Sequence, residues 1–229
     1  MNNLRKEHWD NIYSSKRLEE VSWYQPIPET SLDSIINSEI SKDEPIIDVG
    51  GGDSFLVDNL LKKGFNDLTV LDISEVAIER AKLRLGKNKE KVNWIVSDIR
   101  DFNPIREYSV WHDRAVFHFL QEKKDVQDYY KILLEGLKYH GRLVLGTFSE
   151  DGPERCCALD VKRYSTNELS DFFSKYPDGF YRPYAVDRGG VSPEKWHISY
   201  GPIATTYSRQ LTKDMIKNAL LLDGNVKYI

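Results

Sequence analysis

Cysteine is nearly missing from this sequence: of 229 residues, only the neighbours Cys156 and Cys157 carry thiols. Two adjacent cysteines are too few and too close for a disulfide framework or a zinc site. That leaves two thiols in a surface loop or, as the alternative, a strained vicinal disulfide. No metal is expected. Long apolar runs are missing too, and nothing approaches the roughly 18 residues a membrane span requires. Residues 1–10 contain Arg5 and Lys6 but also Glu7, with no apolar stretch behind them, so they read as neither a secretory signal nor a transit peptide. A cytoplasmic protein without a membrane partner is expected. Surplus positive charge is absent: a net charge of -4 and a pI near 5.8 argue against a general electrostatic grip on nucleic acid. There is no internal repeat and no low-complexity tract. One domain over 1–229 is expected, with a lid and helix over 1–44, a core over 45–150 and a substrate-side segment over 151–229.

What is present is a regular alternation of strands and helices. Ile46 to Val49 reads as a buried strand, and Gly50-Gly51-Gly52 forms a turn after it. Asp53 or Ser54 then caps a helix that runs to Lys63, with Gly64 as its stop. Leu68 to Leu71 is a second strand ending at Asp72, and Ser74 caps a second helix closed by Gly86. Val92 to Val96 is a third strand that delivers Ser97 and Asp98 to its carboxyl end. Tyr108 to Trp111 is a fourth, followed by His112-Asp113-Arg114. A helix from about Asp125 to Leu137 and a strand from Arg142 to Phe148 complete five alternations. Short connections of this kind predict an α/β fold, a doubly wound, mainly parallel Rossmann-like sheet with helices on both faces and the ligand beyond the carboxyl ends of the strands.

Upstream, Trp9 and Tyr13 are four apart and share one face of an amphipathic segment, while Val21 to Pro26 forms an extended loop carrying Trp23 and Tyr24. Thr30 is expected to cap a helix to about Ile40. Downstream, Ser165 to Glu168 is a capping box opening a helix to about Lys175, and Tyr176 to Gly179 is a turn. Short strands near Trp196 to Tyr200 and a helix from Thr212 to Leu222 are weaker expectations.

Four features converge on one edge of the predicted sheet: the glycine turn, Asp72, Asp98, and His112 to Arg114. A dinucleotide fingerprint wants a third glycine where Phe55 stands. A carboxylate after strand two suits two ribose hydroxyls. A carboxylate after strand three, with Ile99 behind it, suits the exocyclic amine and ring of adenine. The glycine turn leaves room for an amino-acid tail. Together these describe S-adenosylmethionine, and S-adenosylhomocysteine as its product, better than NAD.

On these residues the chain resembles the class I, seven-stranded methyltransferases over roughly 8–175: Asp48 to Gly52 is similar to their first motif, Val70 to Ile73 to their second and Ser97 to Ile99 to their third. His8 to Tyr13 and Val21 to Tyr24 resemble the W-D-x-x-Y and D-W-[FY] elements of the methyltransferase-like protein lysine methyltransferases that act on citrate synthase and elongation factors. The resemblance implies that Trp9, Tyr13 and Trp23 wall the cofactor, and that Asp48, Gly50 and Gly52 shape its methionine end. It also implies that Asp72 with Ile73, and Asp98 with Ile99, hold ribose and adenine, and that Arg114 lies near the cofactor. The expected reaction is methyl transfer, N-methylation of a protein lysine, with a small-molecule acceptor or a non-catalytic binding protein as alternatives. Asp113 and His118 are the candidates for accepting or relaying a proton.

Overall fold

In the computed structural model the described residues are 2–38, 40–114, 116–174, 180–181 and 199–200. The expected helix from Thr212 to Leu222 lies outside them, as do the turn over 176–179 and most of the strand expected over 196–200. The chain divides into two compact units, Met1–Tyr164 and Ser165–Ile229, where the sequence draws no boundary.

The first unit is built on five strands: β1 (Ile46–Val49), β2 (Leu68–Asp72), β3 (Val92–Val96), β4 (Tyr108–Asp113) and β5 (Leu137–Leu145). Their order is β3-β2-β1-β4-β5, and every pairing is parallel. β1 is buried at all four positions, as a strand covered on both faces must be. The order reverses between β1 and β4, so the crevice at the carboxyl ends of these two strands is the switch point where open α/β sheets bind ligands.

Preceding and connecting the strands are α1 (Asn2–Ser15), α2 (Glu29–Ile36), α3 (Leu56–Lys62), α4 (Glu75–Leu85) and α5 (Lys123–Gly136). One face of the sheet is sealed by Leu32 and Ile35 of α2, Leu56, Val57 and Leu60 of α3 and Ile78 of α4 against Ile46, Leu68 and Val70. On α5 lies Tyr129, which packs edge-on to Trp111 with ring centres 6.4 Å apart and meets Phe117 at 5.1 Å.

Several boundaries move from their expected places for local reasons. α2 starts at Glu29 because Pro28, with φ of -79°, already presets the helical entry and no side chain caps it. Thr30 therefore lies inside the helix. α3 begins at Leu56, with Ser54 Oγ accepting from its amide at 3.1 Å, whereas Asp53 is drawn off into ion pairs. β4 extends to Asp113, because the polar pair His112-Asp113 finds buried partners. β5 starts at Leu137 directly after α5, and an irregularity between Tyr108 and Val110 absorbs the slip in register. The small hairpin β6 (Arg155–Cys156) and β7 (Leu159–Asp160) is new. Among the described residues no helix is long and apolar enough to cross a membrane.

In the second unit, α6 (Thr166–Ser174) opens with the expected capping box: Ser165 N donates to Glu168 Oε2 at 2.8 Å, and Glu168 N to Ser165 Oγ at 3.1 Å. The strand pair β8 (Phe180–Tyr181) and β9 (Ser199–Tyr200) is antiparallel.

Candidate functional site

At the carboxyl ends of the strands lies a cavity of about 580 Å³. The glycine turn forms its floor and is held by the backbone itself: Gly50 N and Gly51 N both donate to Leu71 O, at 2.7 and 3.3 Å. Gly50 has φ of +69°, and a Cβ there would stand 2.1 Å from Val116 Cγ2. Gly52, at φ +41°, is not in the cavity wall, and a Cβ there would meet Asp72 Oδ2 at 2.7 Å and Tyr13 Oη at 3.0 Å. Gly52 thus shapes the site by admitting those two groups.

Asp72 lies at the end of β2 and accepts from Ser74 N at 2.7 Å. Burial pushes its carboxyl up to about 7, against the lowering effect of that amide; the charges of Asp48 and Asp10 add to the rise. Such a group gains from hydroxyl donors. Ser74 meanwhile caps α4, its Oγ accepting from Ala77 N at 3.2 Å. Asp98, beyond β3, is different. Burial pushes its carboxyl up as well, but Arg100 wins and holds it below the usual carboxylate range, with Nε 2.9 Å from Oδ1 and Nη2 2.5 Å from Oδ2. Asp98 thus stays ionised; Oδ1 also accepts from Arg100 N at 3.0 Å, which leaves Oδ2 as the oxygen with a lone pair for a further donor. Ile73 and Ile99 line the wall beside these two acids.

Asp48 forms part of the wall and is also the root of a buried chain. His112 Nδ1 lies 2.7 Å from Asp48 Oδ1, and Nε2 lies 2.9 Å from Ser31 Oγ. A carboxylate oxygen in contact with a ring nitrogen accepts. Nδ1 therefore carries the proton, and Ser31 donates to Nε2. The chain ties α2, β4 and β1 together beneath Gly51, where a Cβ would stand 2.5 Å from Asp48 Oδ2. Sequence reasoning missed Ser31 and the use of His112; the signal available was a run of polar residues, His112 and Asp113, inside a strand buried at every position.

Trp9, Tyr13 and Trp23 come together in the cavity wall. Trp9 stands 6.3 Å from Tyr13 and 6.2 Å from Trp23, ring centre to ring centre, and 5.3 Å from Phe119. α1 is latched to α4 by contacts the sequence did not reveal: Asp10 accepts from Ser74 Oγ at 2.6 Å, and Arg80 donates to Tyr13 O at 2.5 Å and to Lys16 O at 3.0 Å. Arg114 fixes the following loop, donating to Trp23 O at 3.2 Å and to Gln25 Oε1, while its side chain lines the cavity.

The two proton-handling candidates part company. Asp113 is fully buried, is not in the cavity wall, and accepts from Val116 N at 2.8 Å, Phe117 N at 3.4 Å and Tyr129 Oη at 2.8 Å. It holds the turn after β4 and does not fit the role of a proton acceptor for a substrate. His118 does line the cavity. Its ring lies 4.4 Å from that of Phe119 and 4.7 Å from that of Phe148, it is only 4% exposed, and neither ring nitrogen has a partner among the described residues. Burial lowers its pKa to about 4, so it is a neutral imidazole near neutral pH. Cys156 and Cys157 are also in the wall, in place of the expected surface loop, because the β6–β7 hairpin carries them there. No group of three or more metal-ligating side chains occurs among the described residues.

Comparison with solved structures fixes the architecture. A DhpI–SAM–HEP complex superposes with a TM-score of 0.56 at 13% identity, covering 73% of this chain and 86% of that one. The fold is that of the class I methyltransferases. A family described as a methyltransferase domain matches residues 47–143, the stretch from β1 into β5 that carries the class I motifs. Malonyl-[acyl-carrier protein] O-methyltransferase 2 of Ilyobacter polytropus is 33% identical over 107 residues, which are 46% of this chain and 40% of the relative. The eEF1A lysine and N-terminal methyltransferase of Bos taurus is 24% identical over 133 residues, 56% of this chain and 19% of the relative. The chain therefore spans two fifths or less of the length of these curated relatives.

Proposed function

We propose that this protein is an S-adenosylmethionine-dependent methyltransferase acting on a small molecule. The observation that carries the proposal is the joint placement of Asp72 and Asp98 at the ends of neighbouring strands, in the wall of one cavity floored by the glycine turn and walled by Trp9, Tyr13 and Trp23. The residues fit the cofactor: a diol acceptor at Asp72, an amine acceptor at Asp98 with apolar Ile73 and Ile99 for the ring, and a close backbone approach at Gly50. When bound, the cofactor supplies a methyl group on a sulfonium, an electrophile that needs no acid or metal to activate it. The protein's task is then alignment and exclusion of water. Trp9 and Trp23 offer faces to a cation, worth roughly 1 kcal/mol of holding energy.

Protein lysine N-methylation is the second reading, supported by the aromatic motifs of α1 and its following loop and by the eEF1A relative. It ranks below the first because a lysine arrives protonated, and the β4–β5 side of the cavity carries no carboxylate among the described residues to attract it or take its proton. The malonyl-[acyl-carrier protein] O-methyltransferase relative is named for an oxygen acceptor and not a lysine nitrogen, which also weighs against the lysine reading. Incubating cell lysate with radiolabelled cofactor and the protein tests this: label in the small-molecule fraction is expected, and label confined to a protein band would reverse the order of the two readings.

A further inference from the structure

The cavity wall is divided by charge. Its three carboxylates, Asp48, Asp72 and Asp98, all sit at the ends of β1, β2 and β3. The other half, after β4 and β5, carries His118, Phe119, Phe148, Arg155 and the two cysteines, with Arg114 at the seam, and has no carboxylate among the described residues. Arg155 is committed to Asp160 at 3.0 Å and to Ala158 O at 2.7 Å. Both hydrogen bonds given to Arg114 go to uncharged oxygens. Among the described residues His118 is the one buried polar side chain of this half whose donor and acceptor are both unspent, and it packs against two phenylalanine rings.

Resting on the methyltransferase reading, we propose that the acceptor presents an anionic oxyacid group, a carboxylate or phosphonate, to the His118 imidazole between Phe119 and Phe148. A buried imidazole with two orphaned nitrogens costs free energy until a partner arrives. Its N–H suits an oxyanion, and among the described residues no carboxylate lines this half of the wall; the buried Asp113 behind it is engaged by Val116 N, Phe117 N and Tyr129 Oη. A nucleophile that is already ionised also removes the need for a base, which this half of the cavity does not supply: His118, with its pKa lowered to about 4 by burial, holds a proton poorly. The step balances without one. The acceptor oxygen forms the new O–CH₃ bond as the S–CH₃ bond breaks, the bonding pair stays on sulfur, and the acceptor loses one negative charge as the sulfonium becomes a neutral thioether, giving a neutral ester from a carboxylate and a monoanionic ester from a phosphonate dianion. His118 orients the oxyanion; Arg114, already bonded to the loop that carries Trp23, is not required for the assignment.

The test uses the full chain saturated with S-adenosylhomocysteine and three ring-bearing probes: phenylacetate, benzylphosphonate and benzylamine. Calorimetry is expected to show at least one anion binding about tenfold or more tighter than benzylamine, and the two anions separate carboxylate from phosphonate as the oxyacid. Imidazole NMR is expected to show the His118 pKa rising by about one unit when the anion binds. His118→Phe should abolish anion binding with S-adenosylhomocysteine affinity unchanged, and His118→Gln, which keeps a donor, should recover part of it. Failure of both anions to bind, tighter binding of benzylamine, or unchanged anion binding in His118→Phe would overturn the proposal while leaving the cofactor reading standing. Failure of S-adenosylhomocysteine itself to bind would overturn both.

Discussion

Asp72 gives the sharpest quantitative expectation. Its carboxyl is pushed up to about 7 by burial, with a smaller push from Asp48 and Asp10, yet a ribose diol needs the ionised form to accept two hydrogen bonds. Binding must then expel the proton at any pH below that value. At about pH 5, two units below, the affinity falls roughly 100-fold from its plateau above pH 7, about 2.7 kcal/mol at 1.36 kcal/mol per unit. Calorimetric titration with S-adenosylhomocysteine in two buffers of different ionisation enthalpy reads both quantities: the slope in affinity, and the release of nearly one proton at the acid end. Asp98, held below the usual range by Arg100, stays ionised across this window and contributes no slope. For the ligand-free fold the sign is reversed. A carboxyl raised in the folded state stabilises at low pH, and roughly 4 kcal/mol of that contribution is lost as pH rises from about 4 to about 7. The thermal shift produced by ligand should therefore grow with pH. Asp72→Asn should flatten the affinity profile; a wild-type affinity independent of pH, or an unchanged slope in Asp72→Asn, would refute the reasoning.

Three further expectations concern the scaffold of the site, each read by urea unfolding alongside cofactor titration. Gly50→Ala sets a Cβ against Val116 Cγ2 at a φ of +69° and should cost about 2–3 kcal/mol. Adding Val116→Ala should recover the steric part but not the roughly 1 kcal/mol of backbone strain. His112→Ala strips Asp48 and Ser31 of their shared partner and should cost about 3 kcal/mol, with loss of cofactor affinity because the floor beneath Gly51 is released; unchanged affinity would show that the chain from Ser31 to Asp48 is only structural. Arg84→Met removes a guanidinium from the buried Asp53 and from Asp58, 2.8 Å away, and should cost about 2–3 kcal/mol. That loss should shrink as pH is lowered and Asp53, left with Arg80 as its one cationic partner of the two, takes up a proton.

The sequence disclosed what is decided locally. The buried run Ile46 to Val49, the Ser74 cap, the capping box at Ser165 and the acids at the ends of β2 and β3 each depend on neighbours a few residues away, and each stands where expected. The aromatic wall was legible for the same reason, since Trp9 and Tyr13 share a helical face. The use of a side chain far along the chain was not. Asp113 and His118 both read as polar groups near the carboxyl end of β4, and what separates them is Tyr129, sixteen residues past Asp113, which helps bury one carboxylate while the other residue is left facing the cavity. Asp53 looked like a cap but is claimed by Arg80 and Arg84 from α4. Cys156 and Cys157 looked like loop residues, and their turn closes a hairpin at backbone angles of positive φ that no residue type there announces.

The most direct test of the central claim is equilibrium titration of the purified chain with S-adenosylmethionine, S-adenosylhomocysteine and NAD. One site that binds the first two, weakened at least tenfold by Asp72→Ala, with no heat from NAD, is the expected result. Absence of binding by either sulfur-containing ligand, or preferential binding of NAD, would contradict the account.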